Sequence, residues 1–409
     1  MLSSLPTTLR LVLAAFLWTK ASDNSATPPS NAIRFQLRHA HAVAHGSRSV
    51  FADVPPSFLS DYYEIPTQNI QTHRPPSAAA YADARLMGMR HAQSPIVAWD
   101  AVDVTGPDVR KRATLLQLAK MTSNSYYGEP GHKSWYPLDG WNASLPFGWE
   151  PDADGFRGHV FVSTDNNTVV ISVKGTSAPW IAGGEGPTKK KDKINDNLLF
   201  SCCCARVGPT WYTVCDCYSG GDKCDLGCLE RALVDDSLFY QIGTNLYNDV
   251  AYMYPNANIW MTGASFPLSF FVSYDIARHS LGGSLAALLG ATFGVPVVAF
   301  ETPGEKMAAT RLHLPSPPTT HHITHVYHTG DPIPMGTCTG VASACALAGF
   351  ALESRCHLGQ RILYDTHGIQ FIIEKVLNED WEGEGGEVPE VDVQVDCVDC
   401  FNWQYGDFK

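Results

Sequence analysis

Charge is scarce in this chain, and what there is leans acidic. Only 17% of its 409 residues are Asp, Glu, Lys or Arg, and the formal net charge is −12. That balance argues against nucleic acid as a partner and offers no electrostatic pull towards anionic membranes. Internal repeats are missing, and long apolar runs nearly so. Leu11 to Trp18 is short against the roughly 20 apolar residues of a comfortable membrane span. Leu285 to Phe300 is better explained as part of a helix and a strand. Apolar residues as a class are plentiful, at 44%, so the chain can bury a large core as one big domain or one with a small appendage.

The start, MLSSLPTTLRLVLAAFLWTKAS, carries one basic residue before its apolar run, as a secretory or signal-anchor segment does. Twelve cysteines behind such a start predict disulfides. Seven fall between Cys202 and Cys228. Cys215-x-Cys217 and Cys224-x3-Cys228 resemble zinc ligand pairs, but zinc wants two well-separated pairs and secretion favours oxidation. Cys397-Val398-Asp399-Cys400 lacks the βαβ context of a redox motif and reads as a plain disulfide. Two acceptor sequons, Asn142-Ala143-Ser144 and Asn166-Asn167-Thr168, fit a lumenal chain.

The chain is organised around Asn258 to Pro296. Without its middle piece this stretch is a strand, a sharp turn and a helix: NIWMTG, HSLGG, SLAALLG. With Gly263, His279, Ser280, Leu281 and Gly282 in the five places, that is a Gly-x-Ser-x-Gly nucleophile elbow. A serine hydroxyl is a weak nucleophile and must stand proud of the sheet where a base can reach it. Small residues flank it because strand and helix approach closely there. As written, Arg278 occupies the place of the first glycine, and Ala264 to Arg278 intervenes. That stretch reads as a genuine loop, as a translated intron, or as a shift of the nucleophile to Ser265. Pro267 and the phenylalanines beside it fit a tight helix start poorly, and the intron reading is favoured. The bland alternative is that HSLGG merely begins a helix.

Residues 21–105, rich in Pro, Ser, His and Ala, read as an N-terminal extension with strand-like pieces such as Ile33 to Leu37. Leu115, Leu118, Ala119 and Thr122 share one face of a helix within Val109–Tyr127. Two apolar runs around Asp165-Asn166-Asn167 predict a hairpin whose second strand ends at Lys174-Gly175-Thr176. Lys189 to Lys193 reads as a solvated basic loop. Leu229 to Tyr254 continues as helix, broken around Gly243. Val295 to Phe300 reads as a buried parallel strand, followed by Glu301-Thr302-Pro303-Gly304. Ile323 to Tyr327 is a strand ending in Gly330-Asp331-Pro332, where a hydrolase places its acid. His321, His322, His325 and His328 alternate between faces, which argues against a metal site. His367, beside Gly368, is the best candidate base, with His357 as competitor. The order Ser280, Asp331, His367 is that of an α/β-hydrolase triad.

These residues, with KINDNLLFSCCCARV, IGTNLYNDV, HSLGGSLAALLGATFG, RLHLPSPP, DPIPMGTC and CVDCF, resemble the fungal autophagy-related vacuolar lipases over roughly residues 105 to 409. The resemblance implies an α/β-hydrolase of the class 3 lipase type, with a mostly parallel central sheet and an N-terminal extension. It implies four regions: a signal-anchor at 1–20, a lumenal extension at 21–105, the lipase domain at 106–380, and an acidic, Cys-containing tail at 381–409. It implies a single-pass type II membrane glycoprotein that reaches the vacuole through endosomal multivesicular bodies. The substrates implied are membrane lipids, phospholipid foremost and triacylglycerol besides, with no cofactor. Family roles carry over to Ser280 as nucleophile, Asp331 as acid and His367 as base. In class 3 lipases a strand ending in Gly-Thr supplies part of the oxyanion hole, which implies the N–H groups of Thr176 and Leu281. The Lys189–Lys193 run lies where such lipases carry a lid. The family has no counterpart of Ala264–Arg278 and has a longer connection between Thr366 and His367. An inactive lipase-like membrane protein and a secreted triacylglycerol lipase or esterase are the alternatives.

Overall fold

The computed structural model describes residues 32–44, 48–53, 63–91, 97–127, 155–163, 166–176, 187–204, 214–233, 238–264, 281–340, 342–343, 345–346, 349–365 and 388–408. The segment 1–20, Asn142, Ser280 and His367 lie outside the described residues.

The extension supplies strands. β1 (Ala32–Ala44), β2 (Arg48–Asp53) and β3 (Tyr63–Arg74) come first, then helix α1 (Ala78–His91), strand β4 (Asp100–Pro107) and helix α2 (Arg112–Asn124). Helix α2 buries Leu115, Leu118 and Thr122 on the predicted face, with Ala119 half-buried. The predicted hairpin follows as β5 (Arg157–Ser163) and β6 (Thr168–Val173), antiparallel and buried along both strands.

Helix α3 (Pro187–Phe200) spans the whole stretch expected to be a basic loop. Lys189 to Lys193 thus forms its first turns, because Asp192, Asn195, Asp196 and Leu199 one face further on are buried and hold the helix in place. Strand β7 (Lys223–Asp225) and helix α4 (Leu226–Ala232) lead to α5 (Phe239–Met253). Helix α5 runs unbroken through Gly243, contrary to the break expected there. Phe239, Ile242, Leu246 and Val250 keep one apolar face against the core. Gly243 is small because the next helix layer leans on it: a Cβ would sit 2.7 Å from Leu289 Cδ1.

Strand β8 (Asn258–Ala264) and helix α6 (Leu281–Phe293) are the strand and helix on either side of the expected elbow, and β9 (Val297–Phe300) follows. Every residue of α6 from Leu281 to Thr292 is buried, as expected of a helix apolar on all sides. Helix α7 (Lys306–Arg311) and strands β10 (Ile323–His328), β11 (Gln360–Tyr364), β12 (Val391–Asp392) and β13 (Gln404–Gly406) complete the chain.

Strands β7 and β13 pair in a second, two-stranded sheet. The main sheet runs in the order β12-β11-β10-β9-β8-β6-β5-β1-β3-β4, with β2 paired to β1. Its centre, β6-β8-β9-β10-β11, is parallel, flanked by antiparallel strands. This is the expected α/β-hydrolase architecture. Alternate residues of the central strands feed two cores, one beneath α6 and the other beneath α2. Each fully buried side chain, such as Leu285, contributes roughly 2 kcal/mol of apolar transfer free energy. The β3–β4 ribbon crosses the opposite end of the sheet, where Trp260 Nε1 donates to Thr105 O at 2.7 Å.

All twelve cysteines are paired, as Cys202–Cys400, Cys203–Cys224, Cys204–Cys215, Cys217–Cys228, Cys338–Cys345 and Cys356–Cys397. Cys397 and Cys400 do not close on each other. They staple the tail to two separate parts of the core, because β12 joins β11 at the sheet edge and carries the tail past both. No helix among the described residues is long and apolar enough to cross a membrane.

Candidate active site

The parallel strands share a direction, so their C-terminal ends lie along one edge of the sheet. Strand β6 delivers Lys174-Gly175-Thr176 there, β8 Gly263, β9 Glu301, β10 Asp331 and β11 Asp365.

Backbone contact holds the elbow together. A Cβ on Gly263 would sit 2.5 Å from the carbonyl carbon of Gly282, so no side chain fits between strand and helix. A Cβ on Gly282 would meet Val173 O at 2.5 Å and Lys174 C at 2.7 Å. The first turn of α6, which starts at Leu281, therefore rests on the end of β6 just before Thr176. Ser284 Oγ, one turn on, donates to Pro303 O at 2.8 Å and ties α6 to the loop after β9.

Thr176 is buried, and its hydroxyl donates to Asp196 Oδ2 of α3 at 2.6 Å. Burial raises the Asp196 carboxyl well above its usual range, and the Thr176 hydrogen bond lowers it by less. Lys174 Nζ donates to Gly175 O at 2.9 Å and lies 3.9 Å from Asp192 Oδ2, with both side chains buried. Burial lowers the Lys174 ammonium, and Asp192 opposes that shift. The strand end that carries Thr176 is thus pinned by α3. Sequence reasoning missed Asp196. Its available signal was an acid on the otherwise buried face of KINDNLLF.

Asp331 sits past the end of β10, where its Oδ1 accepts from the N–H of Ile333 at 2.8 Å. Burial raises its carboxyl to about 6. Glu301 and His328 face it, with potential ligand atoms all within 4.8 Å of one another. Those three, and Cys204, Cys215 and Cys217, are the groups in metal-like proximity among the described residues. The three cysteines are consumed by disulfides. Burial raises the Glu301 carboxyl well above its usual range, and the neighbouring Asp331 charge raises it further.

The competing histidine, His357, is buried beneath the loop that follows β9. Its Nε2 meets Thr302 O at 2.9 Å and its ring stacks on Tyr327, with centroids 4.9 Å apart. Burial, then the neighbouring His325, lowers it to about 4. His325 faces Glu305 at 3.0 Å and His322 faces Gly290 O at 3.1 Å. The histidines of this stretch therefore serve separate partners. Asn166 is exposed at the tip of the β5–β6 hairpin at φ 59, accessible as a glycosylation acceptor must be. Thr176, Leu281 and Asp331 are thus gathered at one sheet edge, and Ser280 immediately precedes the described start of α6.

No family model matches the chain. It is 46% identical over 386 residues to a protein of Cryptococcus neoformans var. neoformans serotype D named "Putative lipase ATG15", covering 76% of this chain and 71% of the relative. Proteins of the same name from Candida glabrata and Saccharomyces cerevisiae are 41% and 44% identical over 358 and 327 residues. Those matches cover 83% and 75% of this chain and 67% and 59% of the relatives. Among solved structures, the Lip2 lipase of Yarrowia lipolytica aligns with a TM-score of 0.31 at 17% identity, covering 61% of this chain and 78% of that one. A triacylglycerol lipase of Penicillium expansum aligns with a TM-score of 0.30 at 15% identity, over 61% and 78% of the two chains.

Proposed function

Because the chain belongs to the family of the fungal ATG15 lipases, we propose that it is a serine hydrolase that cleaves acyl esters of membrane lipids. Its role, on this reading, is the breakdown of autophagic bodies and multivesicular-body vesicles in the vacuole. The observation that supports it most directly is the close seat of α6 on the end of β6, beside Thr176 and in the same sheet edge as Asp331. His367 takes the proton of Ser280 as the hydroxyl attacks the ester carbonyl. The N–H groups of Thr176 and Leu281 hold the oxyanion, and Asp331 orients the imidazole and stabilises its charged form. His367 then returns the proton to the leaving alcohol, and water clears the acyl-enzyme by the same route. The chain's own groups suffice for this chemistry. The N-terminal apolar segment serves as a type II signal-anchor that holds the enzyme at its lipid substrate, and Asn142 and Asn166 carry glycans on the lumenal side.

The test is fatty-acid release from phospholipid vesicles by the full chain and by the chain lacking residues 264–278. A fluorophosphonate should label the active form, and Ser280→Ala should lose both labelling and release. Hydrolysis that survives Ser280→Ala would reject the assignment. Vesicle binding without any labelling in either form would favour the inactive lipase-like alternative.

A further inference from the structure

The scheme above leaves Glu301 unused. It follows the last residue of β9 at φ 48, a backbone region that residues with side chains seldom occupy. Its N–H donates to Val326 O at 2.9 Å, which fixes the turn against β10. That turn aims the side chain across the gap between β9 and β10. Glu301 Oε1 lies 3.8 Å from His328 Nε2, and its side chain keeps only 17% exposure. An Asp331 oxygen stands in the same group, all members within 4.8 Å of one another.

Two carboxylates in one partly buried site cannot both ionise, so the pair keeps a proton. Glu301 is the member that keeps it. Burial raises its carboxyl well above the usual range, and the Asp331 charge raises it further. Asp331 is raised less, because the hydrogen bond from the Ile333 N–H, and after it the one from Glu301, favours its ionised form. The other titratable groups facing Glu301 among the described residues do not supply a counter-charge. His328 is held neutral by burial, and Tyr327 is kept protonated by burial. On β11, Asp365 is engaged by the hydroxyl of Thr329 at 3.2 Å. Arg361 lies against Asp392 at 2.6 Å, and Glu305 is committed to His325.

We propose that Glu301 is a positioning residue: a neutral carboxylic acid whose O–H donates to the Asp331 carboxylate and fixes the oxygen that orients the catalytic imidazole. This rests on Asp331 being the triad acid, and it adds a donor that the triad alone does not contain. No bond to substrate is involved, and the shared proton stays within the pair through the reaction.

The experiment compares the full chain with Glu301→Gln and Glu301→Ala. The first readout is kcat/KM against pH on a soluble short-chain ester. Gln retains a donor, so its acid limb should stay where the wild-type limb lies. Ala removes the donor and lets Asp331 rise, so its acid limb should move up by roughly one pH unit. A merely structural Glu301 would scale both profiles down without moving either limb, and that result overturns the proposal. The second readout needs no hydrolysis. Near neutral pH the infrared difference spectrum between the full chain and Glu301→Gln should contain a protonated-carboxyl carbonyl band that belongs to Glu301, with the Asp196 contribution common to both. A difference spectrum without that band overturns the proposal even in an active enzyme. The band in a chain that never hydrolyses esters supports the shared proton and sinks the hydrolase reading instead.

Discussion

Gly263 and Gly282 lie backbone against backbone although the whole stretch 264–281 separates them in sequence. A methyl group on Gly263 would sit 2.5 Å from the Gly282 carbonyl carbon. The two ends of the intervening segment therefore meet, and the strand and helix of the elbow are already docked. Deletion of residues 264–278 joins Gly263 directly to His279-Ser280-Leu281. The shortened chain should melt at the same temperature or higher, and should react faster with a fluorophosphonate. A large fall in Tm would show that the segment supports the fold rather than interrupts it.

Thr176 owes its orientation to Asp196. Thr176→Val removes the hydroxyl and leaves a buried carboxyl without that donor, whereas Thr176→Ser keeps it. Burial keeps the Asp196 carboxyl neutral, and a hydrogen bond between neutral groups is worth about 0.5–1.5 kcal/mol. On the proposed reading of Thr176 as an oxyanion donor, the Val variant should thus lose roughly two- to ten-fold in kcat with little change in KM, since such a donor acts in the transition state. Steady-state kinetics on a soluble ester decide it; equal kcat for Val and Ser would mean that the anchor does not align the N–H.

The tail is held by covalent bonds as well as by its short strand pairing. Cys202–Cys400 closes a sequence separation of 198 residues and Cys356–Cys397 one of 41. Removing the longer tie with Cys202→Ser and Cys400→Ser should cost roughly 2–5 kcal/mol, mainly by freeing the unfolded chain. Calorimetry should record a drop in Tm of several degrees. An unchanged melting point would show that β12 and Trp403 already fasten the tail without it.

His322 sets the sign of one pH effect. Burial holds its folded-state pKa at about 4, while an unfolded histidine titrates near 6.5. Between those values the unfolded chain binds the proton and the folded chain does not, so this group removes stability as the pH falls through the window. His159 and His357 act in the same direction. The raised carboxyls Asp196, Glu301 and Asp331 act in the opposite one, so a comparison with the parent chain isolates the histidine. His322→Gln should lose less Tm than the parent between neutral pH and about pH 4.5. Parallel melting curves for the two proteins would refute this.

Much of the strand-end edge was legible in the residues themselves. The hairpin through Asn166, the run VPVVAF and the strand before Gly330-Asp331 each carry their pattern within a few positions. The close approach of Gly263 to Gly282 was legible in the same way, from small residues gathered where two elements must touch. The errors have physical causes too. Gly243 looks like a helix breaker in a window of ten residues, yet helix α6 needs it small and packs across it. The lysines at 189–193 look like a loop, yet the buried face that follows draws them into a helix. Cys397 and Cys400 look like each other's partner, yet the tail's path along the sheet edge delivers each to a different cysteine.

By itself the amino-acid order determined the cysteine-rich character of this protein, its αβ alternation and the glycines that let strand and helix meet at its centre. Those depend on periodicity and on steric demands that act over a few residues. Only the tertiary structure decided that Asp196 reaches Thr176, that Glu301 faces Asp331, and which sulfurs join. Each of those meetings depends on strand order and on where distant segments cross, and a buried polar group finds its partner only once the core has closed around it.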